Sequence, residues 1–329
     1  MKMTHKRLAG VLFMALLLIV TGITPVTAQS ARSRGMGGAF LGVSDDESAT
    51  TYNPAGLSQI QGREAAVQAK VNERDLFNWN SVTFTGHIYE DNPKENFSVT
   101  DYLEHNVLEE PLPRRPKYSY GVDYTQDTRY PDFGKLAGGD FIGVKKQVDD
   151  IHLSFGTRFP IARRMLAREQ LYAGLKFQFT NVDRWIKTLN THASRDTQAM
   201  GFGLMYHYND RITGGLTVDN LLERVTGADS VHDGATLNMG ASMKLTKGTT
   251  VSADMVNVTN SSNSTQQQYR VGLEKKFIEN DFTVRMGAWN GTLTLGFGLT
   301  LLPNLRFDYA YYTGDIVKEH YVGSHYTFD

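Results

Sequence analysis

The sequence predicts an all-β fold, a transmembrane antiparallel β-barrel of about 14 strands preceded by a segment of a different kind. Three observations predict it. The chain opens with the residue order of a secretory signal, a long series of later segments alternates apolar and polar residues with period two, and a glycine-rich stretch between them fits neither pattern.

Lys2, Lys6 and Arg7 precede an apolar run over residues 8–23, which Pro25 and the small-residue site Val26-Thr27-Ala28 follow. That order describes a signal peptide over residues 1–28, cleaved near Ala28, so that the mature chain starts at Gln29. An uncleaved anchor helix is the alternative, but the run falls short of the ~20 apolar residues that a span needs. Without Lys2, Lys6 and Arg7 the 34 basic residues become 31 against 35 acidic ones, a balance that gives nucleic acid no reason to bind. The chain has no cysteine, which excludes disulfides and thiolate metal sites. A soluble domain would fit this composition equally well.

Periodicity separates the two. Leu171, Ala173, Leu175, Phe177 and Phe179 interleave with Tyr172, Gly174, Lys176, Gln178 and Thr180. The same two-faced ladder recurs over residues 65–71, 82–88, 118–124, 151–159, 200–208, 212–218, 237–245, 251–255, 269–277, 282–288, 292–301, 305–311 and 322–328, which makes fourteen with the first. Many are near the length that crosses a bilayer at a tilt, about 9–11 residues, whereas soluble sandwich strands average nearer 5–6. Backbone polar groups in hydrocarbon must pair internally, so these strands have to close into a barrel, expected over residues 63–329. Residues 139–147 interrupt the alternation at Phe141-Ile142 and Gly143 and are placed in an external loop spanning residues 126–150. As a fifteenth strand they would start the barrel on the wrong side of the membrane.

Aromatic residues such as Tyr118, Tyr124, Tyr206, Tyr208, Trp289 and Tyr312 fall toward the ladder ends, as interfacial girdles require. Joins at Asn209-Asp210 and over residues 246–248, 278–281 and 302–304 are short and assigned to the periplasm; those over 221–233, 259–267 and 313–319 are longer and assigned outside, with the tight Asn290-Gly291 hairpin as the exception. The long join over residues 90–116 falls in the periplasm and has helical spacing over 99–110.

Residues 31–57, ARSRGMGGAFLGVSDDESATTYNPAGL, are the exception to this pattern. Gly35, Gly37 and Gly38 permit tight folding in a confined space. Ser44-Asp45-Asp46-Glu47 has capping-box spacing, which predicts a short helix through about Thr51, and Asn53-Pro54-Ala55-Gly56-Leu57 then breaks it. This stretch resembles the N-terminal signature of the FadL-like outer-membrane protein superfamily, closest to its PorV/PorQ and UPF0164 branch. The resemblance implies that residues 29–62 form a hatch plugging the barrel, with Gly35, Gly37, Gly38, Asp45, Asp46, Asn53, Pro54, Ala55, Gly56 and Leu57 as its motif.

Catalytic constellations are missing from the sequence, and no enzyme is expected. The nine histidines do not fall at metal-ligand spacing, no Gly-x-Ser-x-Gly turn is present, and no metal or cofactor is expected. Asp45-Asp46-Glu47 as a calcium site is the weaker reading beside three acids at a helix N-terminus. Lys70, Asp123, Arg158, Lys176, Asp254, Arg270, Glu274, Arg285, Arg306 and Asp308 fall on the polar phase of their ladders and should face the lumen, mixed in sign, as a lumen braced by ion pairs requires.

The resemblance implies two activities. FadL-like members carry long-chain fatty acids or aromatic compounds across the outer membrane, and PorV-like members serve type IX secretion. This chain lacks long external loops and is short for the first group, which moves the expectation to a plugged PorV-like barrel in transport or secretion. A passive channel for hydrophobic compounds and a structural outer-membrane protein are the alternatives. Expected partners are outer-membrane lipid and either a hydrophobic small molecule or a secretion-system component.

Overall fold

The computed structural model describes residues 30–72, 79–89, 116–129, 132–135, 141–159, 170–186, 191–227, 232–261, 266–277, 281–314 and 318–328. The signal segment and the join with helical spacing over 99–110 lie outside them. Among the described residues no helix is long and apolar enough to cross a membrane.

Among the described residues fifteen strands form, fourteen of which close a ring. They are β1 (Arg63–Asn72), β2 (Trp79–Tyr89), β3 (Pro116–Arg129), β4 (Asp132–Lys135), β5 (Phe141–Phe159), β6 (Gln170–Ile186), β7 (Thr191–His207), β8 (Ile212–Gly227), β9 (Thr236–Thr246), β10 (Thr249–Val256), β11 (Gln268–Phe277), β12 (Phe282–Trp289), β13 (Thr292–Leu302), β14 (Leu305–Tyr312) and β15 (Glu319–Phe328). Neighbours in sequence pair antiparallel, β3 pairs β5, and β15 pairs β1 from Arg63↔Phe328 to Asn72↔Glu319, which closes the seam. The short β4 pairs β5 alone and is no part of the ring. Each of the fourteen ladders coincides with one strand of this ring.

Two expectations about the loops require correction. Residues 141–147, assigned above to a loop, belong to β5 and pair with β6 from Val144↔Ile186 onward. The segment assigned to the join at 221–233 begins as strand, since β8 runs to Gly227 against β7. In both places a neighbouring strand supplies pairing partners, so the ladder continues although the apolar alternation has ended. Alternation reports a strand between lipid and lumen, and a strand beyond the membrane needs none.

The outer face is apolar and the inner face polar, the reverse of a soluble core. Phe84, Ile151, Phe155, Leu175, Phe179, Leu293 and Leu295 are exposed, while Thr83, Asp123, Ser154, Lys176, Thr294 and Asp308 are buried. A buried polar side chain is stable only with partners, and the bore supplies them.

The chain from Ser30 to Ile60 supplies many of the large buried apolar side chains, among them Met36, Phe40, Leu57 and Ile60. It holds a one-turn helix α1 (Ala31–Gly35) and two 3₁₀ turns, Glu47–Thr50 and Pro54–Gln59. Here α1 lies against β12 to β15, Glu47–Thr50 against β1, β2, β3 and β5, and Pro54–Gln59 against β3, β5, β6 and β7. These contacts run around the ring, from β1 to β7 and from β12 to β15.

The expected cap is displaced. Ser44 adopts a positive φ and turns its hydroxyl back to the Phe40 carbonyl, so Asp46 becomes the N-cap, accepting from the Ser48 amide at 3.1 Å. The chain does bend at Asn53-Pro54, but a further turn starts there, with Asn53 as its cap and Pro54 at a first-turn position where a missing N–H costs nothing. The helix α1, capped by Ser30, was not legible from spacing.

Candidate functional site: the lumen around the N-terminal segment

Small residues on the inner face set how closely the segment approaches the wall. Gly156, Gly174 and Gly203 are direct cross-strand partners on β5, β6 and β7, and Ser252, Gly272 and Gly287 are partners on β10, β11 and β12. A Cβ at Gly174 would stand 2.5 Å from the Ala55 nitrogen, and one at Gly272 2.5 Å from the Met36 oxygen. The backbone of the segment rests where those side chains would be.

Charge ties the two parts together. Arg32, on α1, donates through Nε and Nη2 to both oxygens of Glu274 on β11, at 2.9 and 3.0 Å. Its Nη1 donates to Asp45 at 2.6 Å and Asp46 at 2.8 Å, within the segment. Glu274 and Arg285 are cross-strand partners joined at 2.7 Å; Arg285 also reaches Asp308 at 2.7 Å, and Asp308 reaches Arg306 at the same distance. Burial by itself would lower the Arg32 pKa, but Asp45, Glu274 and Asp46 outweigh it and hold it well above the usual value. Asp45 keeps 40% of its side-chain surface exposed, so burial opposes its ionisation less than the Arg32 guanidinium favours it, and the carboxyl is held below its ordinary value. Burial and adjacent Glu47 push Asp46 upward against the pull of Arg32 and Arg306.

The other motif residues are placed as follows. Gly35 ends α1 beside Arg285 and Gly296, and Gly37 and Gly38 take positive φ in the turn after it. Asn53 is fully buried; its amide donates to the Leu41 carbonyl at 3.2 Å and the Leu204 carbonyl at 3.1 Å while its oxygen caps Ala55. Pro54, Ala55, Gly56 and Leu57 are buried in the turn that follows.

Seven of the ten charged strand positions are buried, and Arg158, Arg270 and Arg306 are half-buried. Asp254 does not pair with its cross-strand neighbour Arg270; it accepts the Phe40 and Leu41 amides at 2.6 and 2.9 Å. Arg270 instead donates to the Gly38 carbonyl and to Gln268. Lys176 bonds the Thr51 carbonyl at 2.8 Å and Asp219 at 2.9 Å, and Lys70 bonds Glu319 at 3.1 Å. Asp123 accepts from Ser81, Thr83 and Thr125. Many of these charges therefore serve the segment rather than each other.

The three acids do not form one cage. Asp45 and Asp46 turn to Arg32, whereas Glu47 turns to the seam and meets His325 of β15 at 2.8 Å. Arg32, Arg34, Glu64 and His325 were missed by sequence reasoning. Two arginines inside a stretch of small residues bound for a buried position were the available signal. Arg34, buried, lies 4.4 Å from the Trp289 ring centre and 4.8 Å from that of Tyr321.

A closed antiparallel barrel of fourteen strands, apolar outside and polar within, is an outer-membrane type of β-barrel protein. Its fold is similar to the crystal structure of the Ralstonia pickettii toluene transporter TbuX, at 13% identity over 92% of this chain and 99% of that one, with a TM-score of 0.59. It is likewise similar to the P. putida toluene transporter TodX, at 10% identity over 92% and 99% of the two chains, with a TM-score of 0.60. A Pseudomonas aeruginosa FadL homologue aligns at 12% identity over 93% and 100%, with a TM-score of 0.55. The chain matches no protein-family profile and no curated protein sequence.

Proposed function

We propose that this protein is an outer-membrane channel for hydrophobic small molecules, whose bore is stoppered by its own residues 30–60. The fold similarity to transporters of toluene, over nine-tenths of this chain, supports this reading. The secretion role expected as the main reading gains no support from these structures, and the passive channel becomes the preferred one. The bonded contacts of residues 30–60 with the wall describe the closed state, and passage of a solute requires part of the segment to yield. After cleavage near Ala28 the chain would begin just ahead of this stopper. Transport needs no reacting group, in keeping with a non-enzymatic protein.

The test is uptake of radiolabelled toluene and oleate by cells that lack their own hydrophobic channel and express this chain. Faster uptake than in empty cells is expected. A cysteine pair at Ala39 and Ser252, whose hydroxyl contacts the Ala39 carbonyl at 2.8 Å, should abolish the gain when oxidised and restore it when reduced. The chain has no other cysteine to interfere. Uptake equal to that of empty cells for both solutes refutes the channel.

A further inference from the structure

Glu47 from the segment, Glu64 from β1 and His325 from β15 meet at the seam where the first and last strands close the barrel. All three are at least nine-tenths buried, and one donor atom from each lies within 4.8 Å of the others. With a neutral imidazole the cluster is poorly satisfied, since only a doubly protonated His325 bridges both glutamates. Glu47 Oε2, Glu64 Oε2 and His325 Nδ1 are buried without a hydrogen-bond partner, although Nδ1 and Glu47 Oε2 are only 2.8 Å apart. Their approach is close but lacks the alignment of a bond. The remaining contacts are weak: Gln68 donates to Glu47 Oε1 at 3.4 Å, and the nearby Arg306 guanidinium is engaged by Asp308 and Asp46.

We infer that Glu47, Glu64 and His325 form a binding site for a divalent transition cation, zinc by its donor set, which pins the segment to the barrel seam. Two buried carboxylates facing one imidazole leave negative charge in a confined space, and such charge is costly unless paired or coordinated. A neutral imidazole and carboxylate oxygens suit zinc, whose bonds of roughly 2.0–2.2 Å in tetrahedral geometry place two donors about 3.4 Å apart. Binding requires the glutamate side chains to turn inward from the observed spread of up to 4.8 Å. The second ring nitrogen already has the surroundings of a metal-bound histidine. Nε2 lies 3.3 Å from the Thr327 hydroxyl, an oxygen that holds its proton there and leaves the Nδ1 lone pair toward Glu47. Because Glu47 is the only donor from the segment, bound cation ties the stopper to both strands of the seam. This site is independent of which solute crosses the barrel.

The test uses the processed full chain, without a histidine tag, in detergent, exposed to zinc and dialysed against buffer, with metal content measured per chain. One zinc per chain is expected. Glu47→Gln and His325→Ala should each lose it, and His320→Ala, on the same strand but outside the cluster, should keep it. Zinc K-edge absorption of the unaltered protein keeps the question decidable if a variant fails to fold: one imidazole with oxygen donors supports the site, and several imidazoles overturn it. No retained zinc, or retention undiminished in both ligand variants, overturns it as well and leaves His325 as a charged bridge between two glutamates.

Discussion

Replacing Arg32 by Met keeps most of the side chain's length and removes four charge-assisted hydrogen bonds, two to the wall at Glu274 and two to the segment at Asp45 and Asp46. Truncating one partner of a buried ion pair costs about 3–5 kcal/mol, because the other charge stays buried without it. Here two of the carboxylates keep another guanidinium, Arg285 at 2.7 Å from Glu274 and Arg306 at 3.7 Å from Asp46. The cost therefore falls at the lower end, about 3 kcal/mol, which raises the open population of the segment roughly 100-fold at 1.4 kcal/mol per decade. Hydrogen exchange of the amides of residues 33–60 in lipid nanodiscs measures that opening directly. Glu274→Gln alone should cost less, and the double variant R32M/E274Q should be less damaged than the sum of the two, with a coupling of about 1–3 kcal/mol. Exchange unchanged within about 0.5 kcal/mol in R32M, or strict additivity of the pair, would refute the reasoning.

Other expectations follow from the same geometry. Asn53→Ala removes three hydrogen bonds of a fully buried side chain and should destabilise the segment by about 2–4 kcal/mol, read as faster proteolysis near residue 53. Gly174→Val drives a side chain into the backbone at Pro54 and Ala55, so ionic conductance in planar bilayers should rise over the unaltered protein. Leu295→Arg, on the exposed face in mid-strand, should lower barrel stability by about 2–4 kcal/mol in urea titration from lipid vesicles. Asp45 has a folded-state pKa held below its ordinary 3.8, so its contribution is full above that value and lost as pH falls through the lower one. Segment exchange in Asp45→Asn should then exceed that of the unaltered protein at pH 6, and the difference should vanish in acid.

How far the sequence reached depended on whether a signal was local. Alternation at Leu293, Leu295 and Phe297 needs only the two faces of one strand, so all fourteen ladders could be read without knowing their neighbours. The strand at 141–147 could not, because its stability comes from pairing with β6 and not from its own pattern. The displaced cap is similar: Ser44 satisfies the expected spacing, but Phe40 claims its hydroxyl. Charged positions were assigned to the polar phase of their ladders, yet their partners lie far away in sequence. Asp254 serves the amides of Phe40 and Leu41, an exchange that only the fold brings about. Glycine on the polar phase of consecutive ladders, at Gly156, Gly174 and Gly203, was visible all along and marks where something inside presses on the wall.

The central claim is that residues 30–60 are held inside a lipid-embedded barrel. Cysteine scanning of that segment in intact cells tests it most directly, with Phe40, Ala49 and Leu57 each changed to Cys and exposed to a small charged maleimide. All three side chains are fully buried, so labelling should be slow in the folded protein and rapid after denaturation. Rapid labelling at all three positions, while the barrel still migrates as a folded species on an unheated gel, would contradict the account.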